Sequence, residues 1–377
     1  MQHRVCVEID LGALRRNFDR IAARVKPARV LCVLKANAYG LGVAPYARAL
    51  AAGDCVGFGV AEPFEARELK RVLAAEKVKK DVQILSSVLP DEIEEMVRDE
   101  VILPVTDLAE AQAISAAAVK CRKTARVHFK IDSGMGRLGI LLNEALPVLR
   151  AVRQLPGLDT EGIFSHCPMA YDPKNPYTKQ QIRRFKDLIA AAKREGIVFK
   201  KIHLAASDAI NNFPETARAP FNLVRTGINL HGSFDPNGRR ALRVEPVLTL
   251  KSRVAQVRTL PAGTTLGYGR TWCLNAPTRV ATVSAGYADG LPLALTNRGA
   301  VLIQGVRCPV IGRISMDYTT VDVSQVPQVK AGDEVICLGQ VGRERITPDD
   351  WAALKGTHAY DIICSFGNRV ARIVTEK

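Results

Sequence analysis

Residues 30–40 read VLCVLKANAYG, and their opening run recurs throughout the first part of the chain. Val30–Leu34 is short, apolar and bounded by polar residues, which is typical of a strand buried on both faces. Comparable runs follow at Val56–Val60, Val82–Ser86, Val101–Val105, Arg126–Ile131, Glu161–Ser165, Lys201–Ala205 and Phe221–Arg225. The first part of the chain therefore contains eight candidates for buried strands.

Amphipathic segments separate several of these runs. Glu62–Ala75 carries apolar residues at the spacing of one helical face, and Pro90–Met96 opens with proline and acidic residues, as helices prefer. Strands that alternate with helices in this way are typical of a closed parallel barrel. We predict an α/β fold with an N-terminal (β/α)8 TIM-type barrel over residues 1–240.

The pattern changes after the turn Asp235–Gly238. Alternating apolar and polar stretches replace the helical segments, at Val247–Val257, Arg279–Ser284, Val301–Ile303 and Thr319–Val323. Such alternation predicts strands with one buried face. We therefore predict a second, mainly antiparallel β domain over residues 241–377.

Composition argues against several classes of protein. The 377 residues are 47% hydrophobic, yet no apolar run approaches the roughly 20 residues that span a bilayer. The N-terminus has no signal-peptide core, so we expect a cytoplasmic protein. The net charge of +15 comes from basic residues interleaved with acids, which favours small anionic substrates over nucleic acid. The nine cysteines have no metal or redox spacing, and we expect no metal site.

Polar residues stand where the predicted barrel strands end, which is where the active site of such a barrel gathers. The candidates are Lys35 after the first strand, Lys130 and Arg137 at the fifth, His166 after the sixth, Ser207 after the seventh, and Arg225, Gly227 and Ile228 at the eighth. A partly desolvated lysine at the barrel mouth has a lowered pKa and can attack a carbonyl group. A lysine that only extends its amine into water is the structural alternative.

Seven segments resemble the signatures of the alanine racemases, the fold-type III enzymes that use pyridoxal 5′-phosphate (PLP). In chain order they are VLKANAYG (33–40), FKIDSGMGRLG (129–139), EGIFSH (161–166), VRTGI (224–228), GYG (267–269), AGYADG (285–290) and GRISMD (312–317). The segments follow the family's order, and the resemblance runs along nearly the whole chain. The resemblance implies racemisation of L-alanine and D-alanine, which supplies D-alanine for peptidoglycan.

The resemblance implies two opposed bases. Lys35 would hold PLP as a Schiff base and act on one face of the substrate Cα, and Tyr268 would act on the other face. Tyrosine ordinarily has a pKa of about 10 and is a poor base at neutral pH, so it needs cationic or hydrogen-bonding support. His166 and Arg225 are the candidates for that support.

The resemblance also implies how the cofactor is held. Arg225 would face the pyridine nitrogen; because a guanidinium cannot readily give up a proton, the nitrogen would stay largely unprotonated. The Ser207 hydroxyl, the backbone amides near Gly227 and Ile228, and the Tyr39 hydroxyl would hold the phosphate. His203 stays undecided between a core histidine and a residue near the cofactor.

Further roles concern the substrate and the partner subunit. Arg137 would bind the cofactor's phenolic oxygen and the substrate carboxylate, and Lys130 matches a position that is often carboxylated and then orients the arginine. The backbone of Met316 would reach the substrate, with Asp317 beside it and Tyr287 in support. Residues of the β domain would complete the site of the other subunit in a head-to-tail homodimer.

The match departs from the family's pattern at three places. Leu41 stands where a histidine is usual, and Asn368 aligns with a tyrosine that often contacts the phosphate. Leu293 and its neighbours replace basic residues that often line the entrance. These changes leave Lys35 and Tyr268 intact, and they bear on substrate range.

Other functions stay open at this point. One is a racemase for serine, for basic amino acids or for a broader range of amino acids, and another is a decarboxylase of similar architecture. A non-catalytic PLP-binding protein belongs to a different class, but such proteins typically consist of the barrel alone. A further alternative is a metal-free Schiff-base aldolase on a barrel, which would show no cofactor absorption band.

Overall fold

The computed structural model describes residues 3–235, 238 and 240–376. The strands are β1 (Cys6–Asp10), β2 (Arg29–Val33), β3 (Gly57–Val60), β4 (Asp81–Ile84), β5 (Leu103–Val105), β6 (Ala125–Asp132), β7 (Ile140–Leu141), β8 (Leu158–Phe164), β9 (Lys201–His203), β10 (Leu223–Thr226), β11 (Leu248–Leu260), β12 (Thr265–Leu266), β13 (Trp272–Cys273), β14 (Thr278–Val283), β15 (Ala300–Ile303), β16 (Val306–Pro309), β17 (Thr319–Asp322), β18 (Glu334–Val341), β19 (Glu344–Ile346) and β20 (Ala371–Thr375). The helices are α1 (Leu11–Val25), α2 (Lys35–Tyr39), α3 (Val43–Ala51), α4 (Pro63–Ala75), α5 (Ile93–Arg98), α6 (Leu108–Cys121), α7 (Ala145–Val152), α8 (Tyr177–Arg194), α9 (Ser207–Asn212), α10 (Pro348–Lys355) and α11 (Ala359–Ile363).

Eight parallel strands form the barrel, in the spatial order β4–β3–β2–β10–β9–β8–β6–β5. A parallel bridge between Gln83 and Ile102 joins β4 to the residue before β5, so the sheet nearly closes on itself. The strands coincide within a few residues with the eight predicted runs, and α4 coincides with the first predicted helix. α5 begins at Ile93, later than predicted, and Pro90 lies in the turn before it. The predicted (β/α)8 barrel is confirmed.

The second sheet is centred on β11, which pairs antiparallel with β1, β14 and β18. Further antiparallel pairs add β15, β16, β17 and β19. The exception is β20, which pairs in parallel with β1. The predicted mainly antiparallel β fold is confirmed.

The first strand of the chain lies in this second sheet, although the sequence assigned residues 1–240 to the barrel. Burial alternates along β1, where Val7 and Ile9 are fully buried, whereas every residue of β3 is buried. Alternation suits a sheet with one covered face, while a barrel strand is covered on both faces. Pro236 and Asn237, in the predicted turn between the domains, lie outside the described residues.

The carboxyl ends of the barrel strands share one end of the barrel. We call this end, with residues 35–40, 130–139, 166, 207 and 225–228, the barrel mouth. In the described part of the chain, no helix combines the length and the apolar character needed to cross a bilayer.

Candidate active site

Lys35 opens a tight turn at the end of the first barrel strand. The backbone of residues 36–39 is left-handed, with φ between 52° and 59°. Each left-handed non-glycine residue costs about 1–3 kcal/mol, so the surroundings must hold the turn. The Asn37 side-chain oxygen accepts the Val43 N–H at 2.7 Å, and Glu65 accepts the first N–H after Lys35. These bonds determine where the Lys35 side chain leaves the barrel.

The Lys35 amine is electrostatically tuned. The residue is exposed to solvent in the single chain, yet the protein around its amine lowers its pKa by desolvation. The Arg137 guanidinium lowers this pKa further, and Glu65 opposes the shift. A larger fraction of the amine is therefore neutral near pH 7, and a neutral amine attacks carbonyl groups.

Asp132 organises the loop that carries Arg137. Its carboxylate accepts the backbone N–H of Gly134 at 2.8 Å, of Met135 at 2.7 Å and of Arg137 at 3.2 Å. The sequence analysis did not single out this residue. A signal was present, because an aspartate two residues before a glycine commonly caps its own turn in this way.

Lys130 lies deeper in the barrel mouth. Its ammonium donates to the Leu85 carbonyl at 2.6 Å and stands 5.6 Å above the centre of the Phe164 ring. Burial lowers its pKa to about 8, with further lowering by the Arg137 and Arg225 guanidinium groups. A larger fraction of the Lys130 amine is therefore neutral near physiological pH than of an ordinary lysine.

Arg225 is buried, and its guanidinium is held from several sides. Nη1 donates to His203 Nδ1 at 2.8 Å; Nη2 donates to the Ser165 and Leu204 carbonyls at 2.8 and 3.1 Å. Nη2 also lies 3.4 Å from His166 Nδ1. Burial lowers the pKa of Arg225 to about 10, so it stays charged at neutral pH. His203, undecided from sequence, is a direct partner of this guanidinium.

His166 contributes no charge at neutral pH. Burial, followed by the Arg225 cation, lowers its pKa to about 3. The ring can take part in hydrogen bonds, but Arg225 is the cation of the pair. Of the two supports suggested for a tyrosine base, only the arginine offers a positive charge.

A small polar cradle lies where β10 ends. The Gly227 N–H donates to the Ser207 hydroxyl at 3.1 Å. A Cβ added at Gly227 would lie only 2.0 Å from the Tyr39 hydroxyl oxygen, so a larger residue there would displace the Tyr39 side chain. The buried Thr226 hydroxyl has no partner among the described residues. Hydroxyl and backbone N–H groups that converge around a glycine suit a phosphate dianion, so the cradle fits the phosphate of PLP.

The barrel mouth concentrates positive charge. Lys35, Arg137 and Arg225 each lower the pKa of Lys130, although Glu110 opposes them. Like charges held together in a partly buried site repel one another unless anions neutralise them. The mouth is therefore suited to a ligand with several negative groups.

The predicted residues of the β domain have exposed side chains. Tyr268 is 72% exposed, Met316 51% and Tyr287 44%. Among the described residues, none forms a hydrogen bond or ion pair with the Tyr268 side chain. Exposed apolar side chains are common singly, but a contiguous group of them often marks an interaction site.

The segments that carry these side chains pack against one another. A Cβ at Gly267 would lie 2.8 Å from the Arg313 nitrogen, so the tyrosine turn lies against residue 313. The Tyr287 N–H donates to the Ser315 carbonyl at 3.1 Å, and the Met316 carbonyl accepts the next N–H at 3.1 Å. Residues 267–270, 286–290 and 312–317 thus form one continuous surface, which we call the β-domain face.

Arg369 links several segments of the β-domain face by hydrogen bonds. It donates to both Asp289 oxygens, at 2.7 and 2.9 Å, and to Asp317 at 2.7 Å. It also donates to the Met316 carbonyl at 3.3 Å. The sequence analysis missed Arg369, and no local signal could have revealed it, because its partners lie 52 and 80 residues away.

The predicted residues thus fall into two groups. The barrel mouth brings together Lys35, Tyr39, Lys130, Arg137, His166, Ser207, Arg225, Gly227 and Ile228. The β-domain face carries Tyr268, Tyr287, Met316 and Asp317. No hydrogen bond or ion pair between described residues joins Tyr268 to the mouth.

Models of known protein families match both parts of the chain. Residues 9–235 match the N-terminal domain of alanine racemase, and residues 247–374 match its C-terminal domain. The alanine racemase of Syntrophobacter fumaroxidans is 38% identical over 363 residues, covering 96% of this chain and 95% of that protein.

Solved structures agree over the full length. An alanine racemase from D-cycloserine-producing Streptomyces lavendulae superposes with a TM-score of 0.93 at 33% identity, covering 100% of this chain and 98% of that one. The alanine racemase of Bartonella henselae, solved with covalently bound pyridoxal phosphate, superposes with a TM-score of 0.88 at 28% identity, covering 99% of this chain and all of that one.

Proposed function

This chain belongs to the alanine racemase family, and on that premise we propose that it interconverts L- and D-alanine with PLP as cofactor. The observation that carries the proposal is the turn at residues 35–39. It begins with an amine of lowered pKa and ends with the Tyr39 hydroxyl against the Gly227 cradle. One tight turn thus links an imine-forming group to a phosphate site. By the same resemblance, the enzyme works in the cytoplasm and supplies D-alanine for peptidoglycan.

The residues of the barrel mouth offer partners for the phosphate, the pyridine nitrogen and the aldehyde carbon of PLP. Ser207, Tyr39 and the backbone at Gly227 and Ile228 would hold the phosphate, and Arg225 would face the pyridine nitrogen. Lys35 Nζ would hold the cofactor covalently. When bound, PLP supplies a conjugated ring that withdraws electrons from the substrate Cα and so acidifies its proton.

Proton transfer needs a group on each face of the substrate Cα. Lys35 Nζ would hold the proton on one face, and the Tyr268 hydroxyl of the partner subunit would serve the other. Arg137 would bind the substrate carboxylate, and the Met316 backbone would close the site. Arg225 donates hydrogen bonds but retains its own proton, so it can support a neighbouring phenolate by charge.

We also propose that Lys130 is carboxylated by CO2. The amine loses a proton as its nitrogen bonds to carbon, and only a neutral amine can react. A pKa lowered to about 8 therefore favours the reaction. The product is an anion, which would remove a like-charge repulsion next to Arg137 and orient its guanidinium.

The exposed β-domain face supports a homodimer in which each site combines two chains. Tyr268 and Met316 are exposed in the single chain and have no described partner in its own barrel mouth. A two-fold assembly would bury both copies of this face against the opposite mouth. The active site would then be complete only in the dimer.

Co-expression of two inactive variants should test the shared site. A dimer of one Lys35→Ala chain and one Tyr268→Ala chain contains one intact site and one doubly defective site. Random pairing of equal amounts makes half of the dimers mixed, so about a quarter of wild-type activity should return. The control is each variant expressed alone, which should stay inactive. Co-expressed chains with no recovery would show that both residues act within one chain.

The proposed reaction is tested on purified protein with a panel of single amino-acid enantiomers. Chiral chromatography should show inversion of alanine in both directions, without release of CO2. Faster inversion of serine or a basic amino acid would identify a different racemase. Release of CO2 would indicate a decarboxylase, and a cofactor band without turnover would indicate a binding protein.

A further inference from the structure

A chain of four buried side chains runs through the barrel beneath the mouth. Arg225 Nη1 contacts His203 Nδ1 at 2.8 Å, and His203 Nε2 contacts His128 Nδ1 at 3.0 Å. His128 Nε2 then contacts Glu161 Oε1 at 3.1 Å. The four residues are between 0% and 5% exposed. They come from β10, β9, β6 and β8 and lead from the mouth toward the opposite end of the barrel.

The guanidinium at one end identifies the direction in which every hydrogen bond of this network runs. A guanidinium can only donate, so His203 Nδ1 must accept and carry no proton. Burial, followed by the Arg225 cation, holds the pKa of His203 well below its usual range, so the ring is neutral and its proton is on Nε2. That Nε2–H donates to His128 Nδ1, and His128 in turn has its proton on Nε2. The second imidazole therefore donates to Glu161.

A side contact agrees with this assignment. The Gln83 amide nitrogen lies 2.9 Å from His128 Nδ1, and an amide nitrogen is a donor. His128 Nδ1 thus accepts two hydrogen bonds, which requires it to be unprotonated.

Glu161 is held as an anion at the far end. Arg126 contacts it at 3.0 Å and Lys201 at 3.1 Å, and both cations also bind Asp81, at 2.7 and 2.8 Å. Burial opposes ionisation, but hydrogen bonds from His128 and Arg126 keep the pKa of Glu161 well below its usual range. The carboxylate can therefore accept the last hydrogen bond of the network, and it has no proton to donate.

We propose that Glu161 and His128 are positioning residues for Arg225: they fix the tautomer of His203, so that its Nδ1 lone pair faces the guanidinium and holds its orientation. The inference rests on the role proposed for Arg225 at the cofactor ring. If His203 carried its proton on Nδ1, an N–H would point at the guanidinium and the contact would become repulsive. The carboxylate thus acts on the site through two imidazoles without touching substrate or cofactor.

Nitrogen NMR of the holoenzyme tests the tautomers directly. The protein has six histidines, so their ¹⁵N resonances can be assigned by substituting one histidine at a time. The ¹⁵N shift separates a protonated ring nitrogen from an unprotonated one. We expect His203 and His128 to be protonated on Nε2 alone. A proton on His203 Nδ1 in the wild-type enzyme would overturn the proposal, whatever the variants do.

Two variants of the same charge cluster separate positioning from stability. Glu161→Gln removes the acceptor charge at constant shape, and we expect altered His128 and His203 ¹⁵N shifts and about 10-fold lower kcat with KM little changed. Asp81→Asn weakens the same ion pairs without touching the imidazoles. It should lower Tm and leave both the ¹⁵N shifts and kcat unchanged. If the two variants behave alike in ¹⁵N shifts and kcat, the row of hydrogen bonds from Glu161 to Arg225 has only a structural role.

Labelling of Lys35 distinguishes a failure of the positioning role from a failure of the proposed function. Glu161→Gln should still be labelled at Lys35 after borohydride reduction. A wild-type enzyme that is not labelled there would contradict the assigned site, whereas unchanged His128 and His203 ¹⁵N shifts and an unchanged kcat in a labelled Glu161→Gln would contradict only the positioning role.

Discussion

Lys35→Ala should reduce alanine racemisation by at least about 10³-fold, because one substitution removes both the proposed covalent attachment of the cofactor and one of the two proposed proton-transfer groups. A positioned general base alone contributes about 10²–10⁴-fold in typical enzymes. The lowered pKa of Lys35 suits both proposed tasks, since the amine must be neutral to attack a carbonyl and to accept a proton. Chiral chromatography of alanine measures the loss.

Two further lysine variants make the result specific. Lys35→Arg keeps a positive charge but forms no imine, so its loss should match that of Lys35→Ala. Lys179→Ala, at an exposed position of α8, should keep full activity. In the wild type, borohydride reduction followed by peptide mapping should find the cofactor on the peptide that contains Lys35. A label on another lysine, or an active Lys35→Ala enzyme, would contradict the assignment.

Tyr268→Phe should lower net racemisation by about 10²–10⁴-fold and make proton exchange one-sided. The two enantiomers of alanine have equal free energy, so kcat/KM must fall equally in both directions. Exchange of the Cα proton with solvent has no such constraint. The enantiomer whose Cα–H faces Lys35 should still exchange in D2O, and the enantiomer whose Cα–H faces the lost phenol should not.

Mass spectrometry of each enantiomer recovered from D2O measures this asymmetry. The matched control is Tyr318→Phe, at another exposed tyrosine of the same domain, which should leave exchange and racemisation unchanged. Equal loss of exchange from both enantiomers would contradict the assignment of Tyr268 as the second base. Retention of both exchanges would mean that another group serves that face.

The barrel was predictable because a parallel barrel strand is covered on both faces and therefore reads as a continuous apolar run. The runs around Val30–Leu34 and Val56–Val60 lie within one residue of β2 and β3. The same reasoning failed for β1. Its alternating burial was visible in the sequence, but neither partner strand could be identified, because β11 and β20 lie far along the chain.

The barrel-mouth residues were predictable from position. Parallel strands end together, so polar residues that follow them converge without any knowledge of the contacts. Asp132 also left a local signal in its turn. Arg369 and the partners of His203 left none, because hydrogen bonds between distant residues depend on how the strands are arranged around the barrel.

By itself the sequence determined the two domain types, the position of the lysine turn at residues 35–39 and the strand ends where polar groups gather, because periodicity and chain order are local properties. Only the tertiary structure decided which buried groups meet. His203 was ambiguous alone, and its proton position follows from Arg225, 22 residues away, and His128, 75 residues away. A tautomer is determined by its partners, and in this barrel those partners are supplied by other strands.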